Sequence, residues 1–240
     1  MKLFSGSFAV VTGASSGIGK ATALSLAANG ANVCLVSRHL PDLRKVAAEA
    51  GPDGSCRCYQ ADLAQPADVD QLGTELESDC AHLDILVHNA GAISLGDLAN
   101  QSAEDFDRQY RVNVRAPFAL TQRLLPKLKA SHGQIVFVNS TAALRPGLKA
   151  GQYAATKASL RALADSLRDE VNGDDVRVLS VFVGRTATPM QAAVHQFEGK
   201  QYRPDALMQP EDVASVIVSA LAVARTAEVT EIVVRPMLKS

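Results

Sequence analysis

Several features are scarce in this chain of 240 residues, and each scarcity argues against a class of protein. The chain has no tryptophan, 5% aromatic residues and a formal net charge of −1. A charge this close to zero provides no basic footprint for nucleic acid. No apolar run approaches the roughly 20 residues of a membrane span, and residues 1–12 lack the apolar stretch and cleavage site of a signal peptide. We therefore expect a cytoplasmic protein with no nucleic-acid or membrane partner.

Cysteine is also scarce, and the four residues are Cys34, Cys56, Cys58 and Cys80. Their spacing fits neither a disulfide framework nor a four-ligand zinc site. Cys56 and Cys58 could supply two thiols to a metal ion, but no neighbouring His or Cys completes the set. The alternating pattern around them predicts a strand with both thiols on one face. We interpret all four as reduced structural cysteines and expect no metal.

Apolar residues are abundant, at 47%, and they form short runs that alternate with helical patterns. Strands are predicted at Phe8–Thr12, Asn32–Ser37, Ser55–Gln60, Leu83–His88, Gln134–Asn139, Val176–Phe182 and Glu231–Val234. Helices are predicted at Gly17–Gly30, Leu40–Ala50, Pro66–Cys80, Ala103–Ala130, Gln152–Val171 and Pro210–Ala224. Aliphatic strands separated by helices favour parallel pairing with both sheet faces covered. The sequence predicts an α/β fold, a Rossmann-type doubly wound parallel sheet of about seven strands in a single domain over residues 1–240.

The least regular region is Thr188–Gln209, which has three residues that interrupt regular structure, Pro189, Gly199 and Pro204. We interpret it as a candidate substrate lid. A plain surface insertion is the alternative.

Three glycines occupy the turn between the first predicted strand and the first predicted helix. Glycine lets the backbone approach a pyrophosphate closely, and the N-terminus of the following helix favours an anion. The turn therefore predicts dinucleotide binding, since it follows a strand and opens a helix. Its predicted contacts are Gly13, Ser15, Ser16, Gly17, Ile18 and Gly19.

Tyr153 and Lys157 stand four residues apart in a predicted helix and therefore share one helix face. A neighbouring cation stabilises a phenolate and lowers the tyrosine pKa from about 10. Tyr153 would then serve as a general acid near neutral pH. Taken alone the pair is weak evidence, because a solvated lysine beside a half-buried tyrosine gives the same pattern.

The spacing Gly-x-x-x-Gly-x-Gly, together with Tyr-x-x-x-Lys 140 residues downstream, resembles the short-chain dehydrogenase/reductase family. The resemblance covers essentially the whole chain. It implies an NAD(P)-dependent oxidoreductase that transfers a hydride between the nicotinamide and a carbonyl or secondary alcohol. It also implies a homodimer or homotetramer, with the long helices at a dimer contact. The alternatives are a catalytically weak NADP(H)-binding sensor or scaffold and an extended-branch epimerase or dehydratase, and the short chain argues against the latter.

The second predicted strand ends in Ser37 and Arg38. An acidic residue at this point would bond the adenosine ribose hydroxyls and repel a 2′-phosphate, whereas a guanidinium can grip that phosphate. The resemblance therefore implies that NADP(H) is preferred over NAD(H). A solvated surface arginine is the alternative.

The resemblance also implies further cofactor contacts. Asp62 would bond the adenine amine, with a turn-forming aspartate as the alternative. The hydroxyl of Thr188 and the backbone near Thr186 would hold the nicotinamide carboxamide. The alternative for Thr188 is a helix N-cap, and one residue can serve both roles. The remaining implied contacts are Leu63, Asn89, Ala90, Gly91, Val183 and Gly184. His88 and Val183 depart from the usual asparagine and proline of the family, and His88 is interpreted as a packing residue.

For catalysis the resemblance implies Asn113, Ser140, Tyr153 and Lys157. Ser140 would bond the substrate oxygen, and Lys157 would bond the nicotinamide ribose. Pro117 has no N–H to donate to the carbonyl of Asn113, so we expect a kink with a free carbonyl there. In the family, the matching asparagine holds a water of a proton relay. A purely structural role for Asn113 is the alternative.

The substrate itself is not predicted, but its surroundings are. They are the segments Ala92–Gly96 and Ala142–Gly151 and the candidate lid. Their apolar residues favour a partly apolar substrate; they are Leu95, Leu144, Leu148, Met190 and Phe197. Three cationic residues are also compatible with an acidic group on the substrate; they are Arg145, Lys149 and Arg185.

Overall fold

The computed structural model describes residues 2–51 and 55–237 and arranges seven parallel strands in one sheet. The strands are β1 (Phe8–Thr12), β2 (Asn32–Ser37), β3 (Cys56–Gln60), β4 (Ile85–His88), β5 (Gln134–Ser140), β6 (Arg177–Val183) and β7 (Glu231–Val234). Their order in the sheet is β3-β2-β1-β4-β5-β6-β7. Each predicted strand is confirmed, with shifts of at most two residues at its ends.

Helices connect these strands and begin at recognisable signals. They are α1 (Gly17–Ala28), α2 (Leu40–Glu49), α3 (Pro66–Asp79), α4 (Ala103–Tyr110), α5 (Ala116–Ala130), α6 (Gly151–Val171), α7 (Pro189–Phe197) and α8 (Pro210–Leu221). Short 3-10 turns occupy Thr141–Ala143, Asn172–Asp174 and Pro204–Ala206. Three helices start with proline, whose missing N–H costs no hydrogen bond at that position. The hydroxyl of Ser102 accepts a hydrogen bond from the Asp105 N–H at 3.1 Å and so caps α4.

Both faces of the sheet are packed, because successive strand residues point to opposite sides. On one face Val11 and Leu35 belong to a core with side chains of α1, α2 and α8. On the other face Val10 and Val36 belong to a core with α3, α5 and α6. This is the predicted doubly wound arrangement. None of the helices in the described ranges is long and apolar enough to cross a bilayer.

The cysteines agree with the predicted structural interpretation. Cys56 and Cys58 both pack against the core that includes α1 and α2, so they share one strand face as expected. Cys34 and Cys80 are buried on the opposite side, with their Sγ atoms 3.6 Å apart. All four are free thiols.

Two expectations about helices need correction. The predicted helix Ala103–Ala130 is interrupted by a π-helical segment, Arg111–Arg115, where the Ala116 N–H donates to the Arg111 carbonyl five residues back. Pro117 follows this segment, and its lack of an N–H prevents the ordinary α-helical bond to Asn113. The irregular region Thr188–Gln209 contains α7, a helix that was not predicted, although an N-cap role had been considered for Thr188 and Pro189 follows it.

The topology places a crevice at one edge of the sheet. β1 has β2 on one side and β4 on the other, so the connections after β1 and β4 leave toward opposite faces. Ligands in such sheets bind at the carboxyl ends of the strands, beside this switch point.

Candidate active site

A cavity of about 1060 Å³ lies at the carboxyl ends of the strands. Single small-molecule pockets are commonly roughly 300–1,000 Å³, so this volume suits a large ligand or two ligands together. Of the catalytic and cofactor-binding residues predicted from the sequence, the cavity wall includes all except Gly19 and Asn113. The structure therefore brings together residues that are up to 175 positions apart in the chain, from Gly13 to Thr188.

Thr12, at the end of β1, fixes the floor of the crevice. Its hydroxyl accepts hydrogen bonds from the backbone N–H groups of Asn89 and Ala90, at 3.0 and 3.1 Å. The Asn89 side chain donates back to the Thr12 carbonyl at 3.0 Å. These bonds hold the loop after β4 against the end of β1. Thr12 was not singled out from the sequence, although its position before the first glycine was the available signal.

The glycine turn has the shape of a phosphate cradle. Gly13 has a φ of +67°, and a Cβ there would lie 2.9 Å from the Ala90 Cα. A Cβ on Gly19 would overlap the Asn89 amide and the Gly13 carbonyl. Glycine is therefore required at both positions, Gly13 in the turn and Gly19 in the first turn of α1, which follows directly. No acidic residue occupies the first turn of that helix, so its positive end is available to an anion.

The end of β2 presents Ser37 and Arg38 to the cavity. The Ser37 hydroxyl lies 3.3 Å from the His39 N–H, which stabilises the turn after the strand. Gln60 donates to the Arg38 carbonyl at 3.0 Å and fixes the backbone, while the Arg38 side chain is exposed. The exposed guanidinium at the end of β2 and the glycine cradle are both groups that could hold a phosphate of a ligand in the cavity.

Asp62 performs the turn role that was its alternative. Its Oδ1 accepts from the Ala64 N–H at 3.1 Å, and its own N–H donates to Asp68 at 2.9 Å. Asp62 and Leu63 both line the cavity, as do Asn89, Ala90 and Gly91. An adenine contact by Asp62 remains a prediction.

His88, at the end of β4, is a packing residue and does not line the cavity. Its ring stacks on Phe137 with 5.0 Å between centroids, and its Nε2 lies 2.8 Å from the Thr121 hydroxyl. Its Nδ1 has no hydrogen-bond partner among the described residues. Burial lowers the pKa of His88 from 6.5 to about 3, because the imidazolium would lose its hydration.

We expect His88 to make the fold sensitive to acid. The unfolded chain takes up a proton below pH 6.5 that the folded chain refuses until about pH 3. The contribution of His88 is thus complete above 6.5 and falls with pH by up to about 1.4 kcal/mol per pH unit. The free energy of unfolding is measured by urea denaturation at about pH 7 and about pH 5. From the higher to the lower pH it should fall by about 2 kcal/mol less in His88→Asn than in the wild type.

The control for this experiment is His132→Asn, at an exposed histidine with a φ of +51° that asparagine tolerates. Its loss of stability should match that of the wild type. Equal acid sensitivity in His88→Asn and the wild type would contradict the argument.

Tyr153 and Lys157 lie on one side of α6, as predicted, and both line the cavity. The Lys157 Nζ is 6.0 Å from the centre of the Tyr153 ring and donates to the Val138 carbonyl at 3.1 Å. Asn139 donates to the Lys157 carbonyl at 3.1 Å and so joins α6 to the end of β5. The same strand ends at Ser140, whose Oγ accepts from the Ala142 N–H at 3.1 Å.

The expected lowering of the tyrosine pKa is wrong for this structure. Burial raises the pKa of Tyr153 above its ordinary 10, and a hydrogen bond with Ser140 opposes that rise only in part. Burial also lowers the pKa of Lys157 to about 8. Both shifts have one cause, because a charged group loses hydration in the protein interior. At neutral pH the phenol therefore holds its proton.

Asn113 lies in the π-helical segment and is completely buried. Its side chain accepts from the Ala92 N–H and donates to the Ala92 carbonyl, both at 2.8 Å. It also donates to the Thr156 hydroxyl at 2.9 Å. This arrangement supports the structural alternative for the side chain, since it connects the loop after β4 to α6 between Tyr153 and Lys157.

Sequence reasoning missed the polar network that surrounds Asn113. Thr156 donates to the Tyr153 carbonyl at 2.8 Å. The buried Gln109 donates to Gln152 at 3.0 Å, and Gln152 donates to the Ser102 carbonyl at 3.0 Å. The only available signal was the occurrence of polar residues inside otherwise apolar helix faces.

The segment after β6 closes the opposite side of the cavity. Val183, Gly184, Thr186 and Thr188 all line it. The Thr188 hydroxyl accepts from the Gln191 N–H at 3.2 Å, so the predicted N-cap role is present. The Ala187 N–H donates to the Met208 carbonyl at 2.8 Å, which brings the two ends of the candidate lid together.

The cavity wall also contains most of the residues predicted to surround the substrate. Leu144 is the exception and does not line it. The others that do are Leu95, Leu148, Met190, Phe197, Arg145, Lys149 and Arg185.

The sheet order, the glycine cradle and the crevice define a Rossmann-type nucleotide-binding protein. Residues 7–199 match the short chain dehydrogenase family. A sepiapterin reductase of Chlorobaculum tepidum is 32% identical over 95% of this chain and 95% of its own. The chain therefore belongs to the short-chain dehydrogenase/reductase family and is an oxidoreductase.

Solved structures agree with this assignment. The L-sorbose reductase of Gluconobacter frateurii, in complex with NADPH and L-sorbose, has a TM-score of 0.89 and 28% identity over the whole of both chains. An alcohol dehydrogenase of Thermococcus sibiricus, complexed with 5-hydroxy-NADP, has a TM-score of 0.89 and 26% identity over 98% of each chain. The 3-ketoacyl-(acyl-carrier-protein) reductase of Brucella melitensis, complexed with NADH, has a TM-score of 0.84 and 28% identity over 96% of this chain and 97% of its own.

Proposed function

We propose that this oxidoreductase uses NADPH to reduce a carbonyl group to a secondary alcohol, with Tyr153 as the general acid. The observation that carries the proposal is the convergence of Ser140, Tyr153 and Lys157 on one cavity that also contains the glycine cradle. A bound nicotinamide supplies the hydride. The cradle at Gly13–Gly19 and the N-terminus of α1 would hold the pyrophosphate, and Arg38 would hold the 2′-phosphate.

The side chains then have complementary tasks. The Ser140 Oγ accepts from the Ala142 N–H, and its hydroxyl hydrogen, which bonds Tyr153 in this structure, would donate to the substrate oxygen once substrate is bound. Tyr153 donates the proton to that oxygen, and its raised pKa keeps it protonated at neutral pH, as the reductive direction requires. Lys157 would bond the nicotinamide ribose. The side chain of Asn113 positions α6 and the loop at Ala92. We propose that the backbone carbonyl of Asn113 holds the water that resupplies the proton.

Further features support a fit to substrate. The segment from Thr188 to Gln209 is proposed as a lid, because Met190 and Phe197 of α7 face the cavity.

The homodimer or homotetramer stays a prediction. Phe106, Tyr110 and Phe118 are partly exposed on α4 and α5 and would be covered by such a contact. A sedimentation experiment at micromolar concentration would show a monomer if that prediction is wrong.

The preference for NADPH is tested at Arg38. We expect Arg38→Asp to shift the ratio of kcat/KM for NADPH over NADH by more than about tenfold, because the aspartate replaces a phosphate-binding cation with a repelling charge. Arg38→Gln, which removes the cation without adding repulsion, should shift the ratio in the same direction by less. An unchanged ratio in Arg38→Asp would exclude a role for this residue.

The reaction itself is tested by following NADPH absorbance against a panel of ketones and aldehydes. Consumption of NADPH that depends on one of these carbonyl compounds is the expected result. Tight binding of NADPH without turnover on any of them would overturn the proposal and favour a nicotinamide-binding sensor.

A further inference from the structure

The half of the cavity around Ser140 and Tyr153 has a wall rich in cations. The loop between β5 and α6 provides Arg145 and Lys149, and the segment after β6 provides Arg185 and Lys200. Glu198 is the one acidic residue among the described residues that line this half. The wall therefore carries more positive than negative charge, and one carboxylate cannot neutralise four cations.

Glu198 is already committed to two of the cations. Its Oε1 is 2.5 Å from the Arg185 Nη2, and its Oε2 is 3.1 Å from the Lys200 Nζ. These bonds lower the pKa of the Glu198 carboxyl and keep it ionised. One carboxylate thus serves two cations, and the Arg185 Nη1 is buried without a hydrogen-bond partner among the described residues.

Arg145 and Lys149 form fewer or weaker ion pairs than Arg185 and Lys200 do. Among the described residues the Arg145 side chain has no ion pair or hydrogen bond. The Lys149 Nζ lies 3.5 Å from Asp97, in a pair whose side chains are 44% and 59% exposed. An exposed pair of this kind is worth at most about 1 kcal/mol, so Lys149 can exchange Asp97 for another anion at little cost.

The cofactor does not account for these two cations. β2, which carries Arg38 at its end, is three strand positions away from β5 in the sheet order. At roughly 4.8 Å per position the two strands are about 14 Å apart. The cations after β5 therefore stand on the side of Tyr153, away from Arg38, the residue proposed to hold the 2′-phosphate.

Apolar side chains lie between the cations. Leu148 is 91% exposed and Phe197 48% exposed, and both line the cavity together with Leu95 and Met190. Exposed apolar side chains on a cavity wall favour an apolar ligand segment, which would remove them from water. The ligand that suits this half has an apolar segment and an anionic end.

We propose that the carbonyl substrate carries an anionic group, a carboxylate or a phosphate, which Arg145 and Lys149 bind at the mouth of the cavity while its apolar segment contacts Leu148 and Phe197. This substrate class rests on the proposed reductase function. Arg185 and Lys200 add to the positive potential of the same wall.

A binding experiment tests the anion site independently of turnover. The protein saturated with NADP⁺ is titrated calorimetrically with hexanoate, hexyl phosphate and hexanamide, which share an apolar chain. We expect the tighter of the two anions to bind at least about tenfold better than hexanamide. The relative affinity of hexanoate and hexyl phosphate identifies the anionic group.

Variants locate the site. Arg145→Gln/Lys149→Gln should lose at least about tenfold in affinity for that anion and change its affinity for hexanamide by less than about twofold. Lys45→Gln, at an exposed lysine of α2 outside the cavity, should bind all three ligands as the wild type does. Equal binding of hexanamide and the anions, no binding of any of the three, or an anion affinity untouched by the double variant would overturn the proposal.

An activity experiment separates this inference from the proposed function. Reduction of 5-oxohexanoate is compared with reduction of its methyl ester, and the acid should be preferred at least about tenfold in kcat/KM, mainly through KM. If both are reduced equally well, the reductase function stands and the anion site is wrong. If neither of them nor any carbonyl compound of the panel is reduced while the tighter anion still binds selectively, the anion site stands and the reductase function fails.

Discussion

Tyr153→Phe should lower kcat at least about 100-fold, because general acid catalysis is typically worth about 10²–10⁴-fold. The substitution removes one oxygen atom and retains the ring that α6 presents to the cavity. Since Ser140 remains, a substrate carbonyl would still be polarised, but no group would deliver the proton. Turnover is measured by NADPH absorbance. The dissociation constant of NADPH, measured by NADPH fluorescence, should change by less than about threefold.

Tyr110→Phe is the matched control, because it removes the same atom from a tyrosine of α4 that is 46% exposed and does not line the cavity. Its kcat should equal that of the wild type. If Tyr153→Phe kept more than a tenth of the wild-type kcat, the assignment of Tyr153 as the proton donor would be wrong.

Asn113→Ala should destabilise the fold by about 3 kcal/mol or more, since it leaves both backbone groups of Ala92 and the Thr156 hydroxyl without their buried partner. For a chain of this size that loss corresponds to a fall in Tm of about 6 to 12 °C. The loop after β4 and α6 would also lose their connection, so kcat should fall with stability.

Two further variants make this result specific. Asn100→Ala, at an exposed asparagine outside the cavity, should leave Tm unchanged. Thr156→Val removes the bond from Asn113 and also the bond to the Tyr153 carbonyl. Combined with Asn113→Ala, it should cost less stability than the sum of the two single losses, because both changes break the Asn113–Thr156 contact. A Tm for Asn113→Ala within about 1 °C of the wild type would contradict the proposed network.

The sequence was sufficient for features that depend on local pattern. Aliphatic runs such as Val10–Val11 identified the strands because a sheet covered on both faces needs apolar residues at successive positions. The phosphate cradle could be predicted because Gly13 meets a backbone requirement, a positive φ, that few other residues satisfy.

Features that depend on distant contacts could not be predicted. The side chain of Asn113 binds Ala92 and Thr156, which are 21 and 43 residues away, and no local pattern marks that pairing. The pKa of Tyr153 was predicted in the wrong direction because helical spacing gives the position of Lys157 but says nothing of burial. Burial results from the packing of the whole domain around the cavity.

The base of the candidate lid has an evolutionary consequence. Thr186 pairs with Met208, and the Ala187 N–H donates to the Met208 carbonyl, so the segment between them leaves the sheet and returns at nearly the same point. Closing a longer loop costs little, since each doubling of length adds only about 0.6 kcal/mol. Segments of other lengths could therefore be exchanged at this point without moving β6 or α8. Such a junction lets new substrate preferences arise by insertion or recombination while the glycine cradle and the end of β2 stay unaltered.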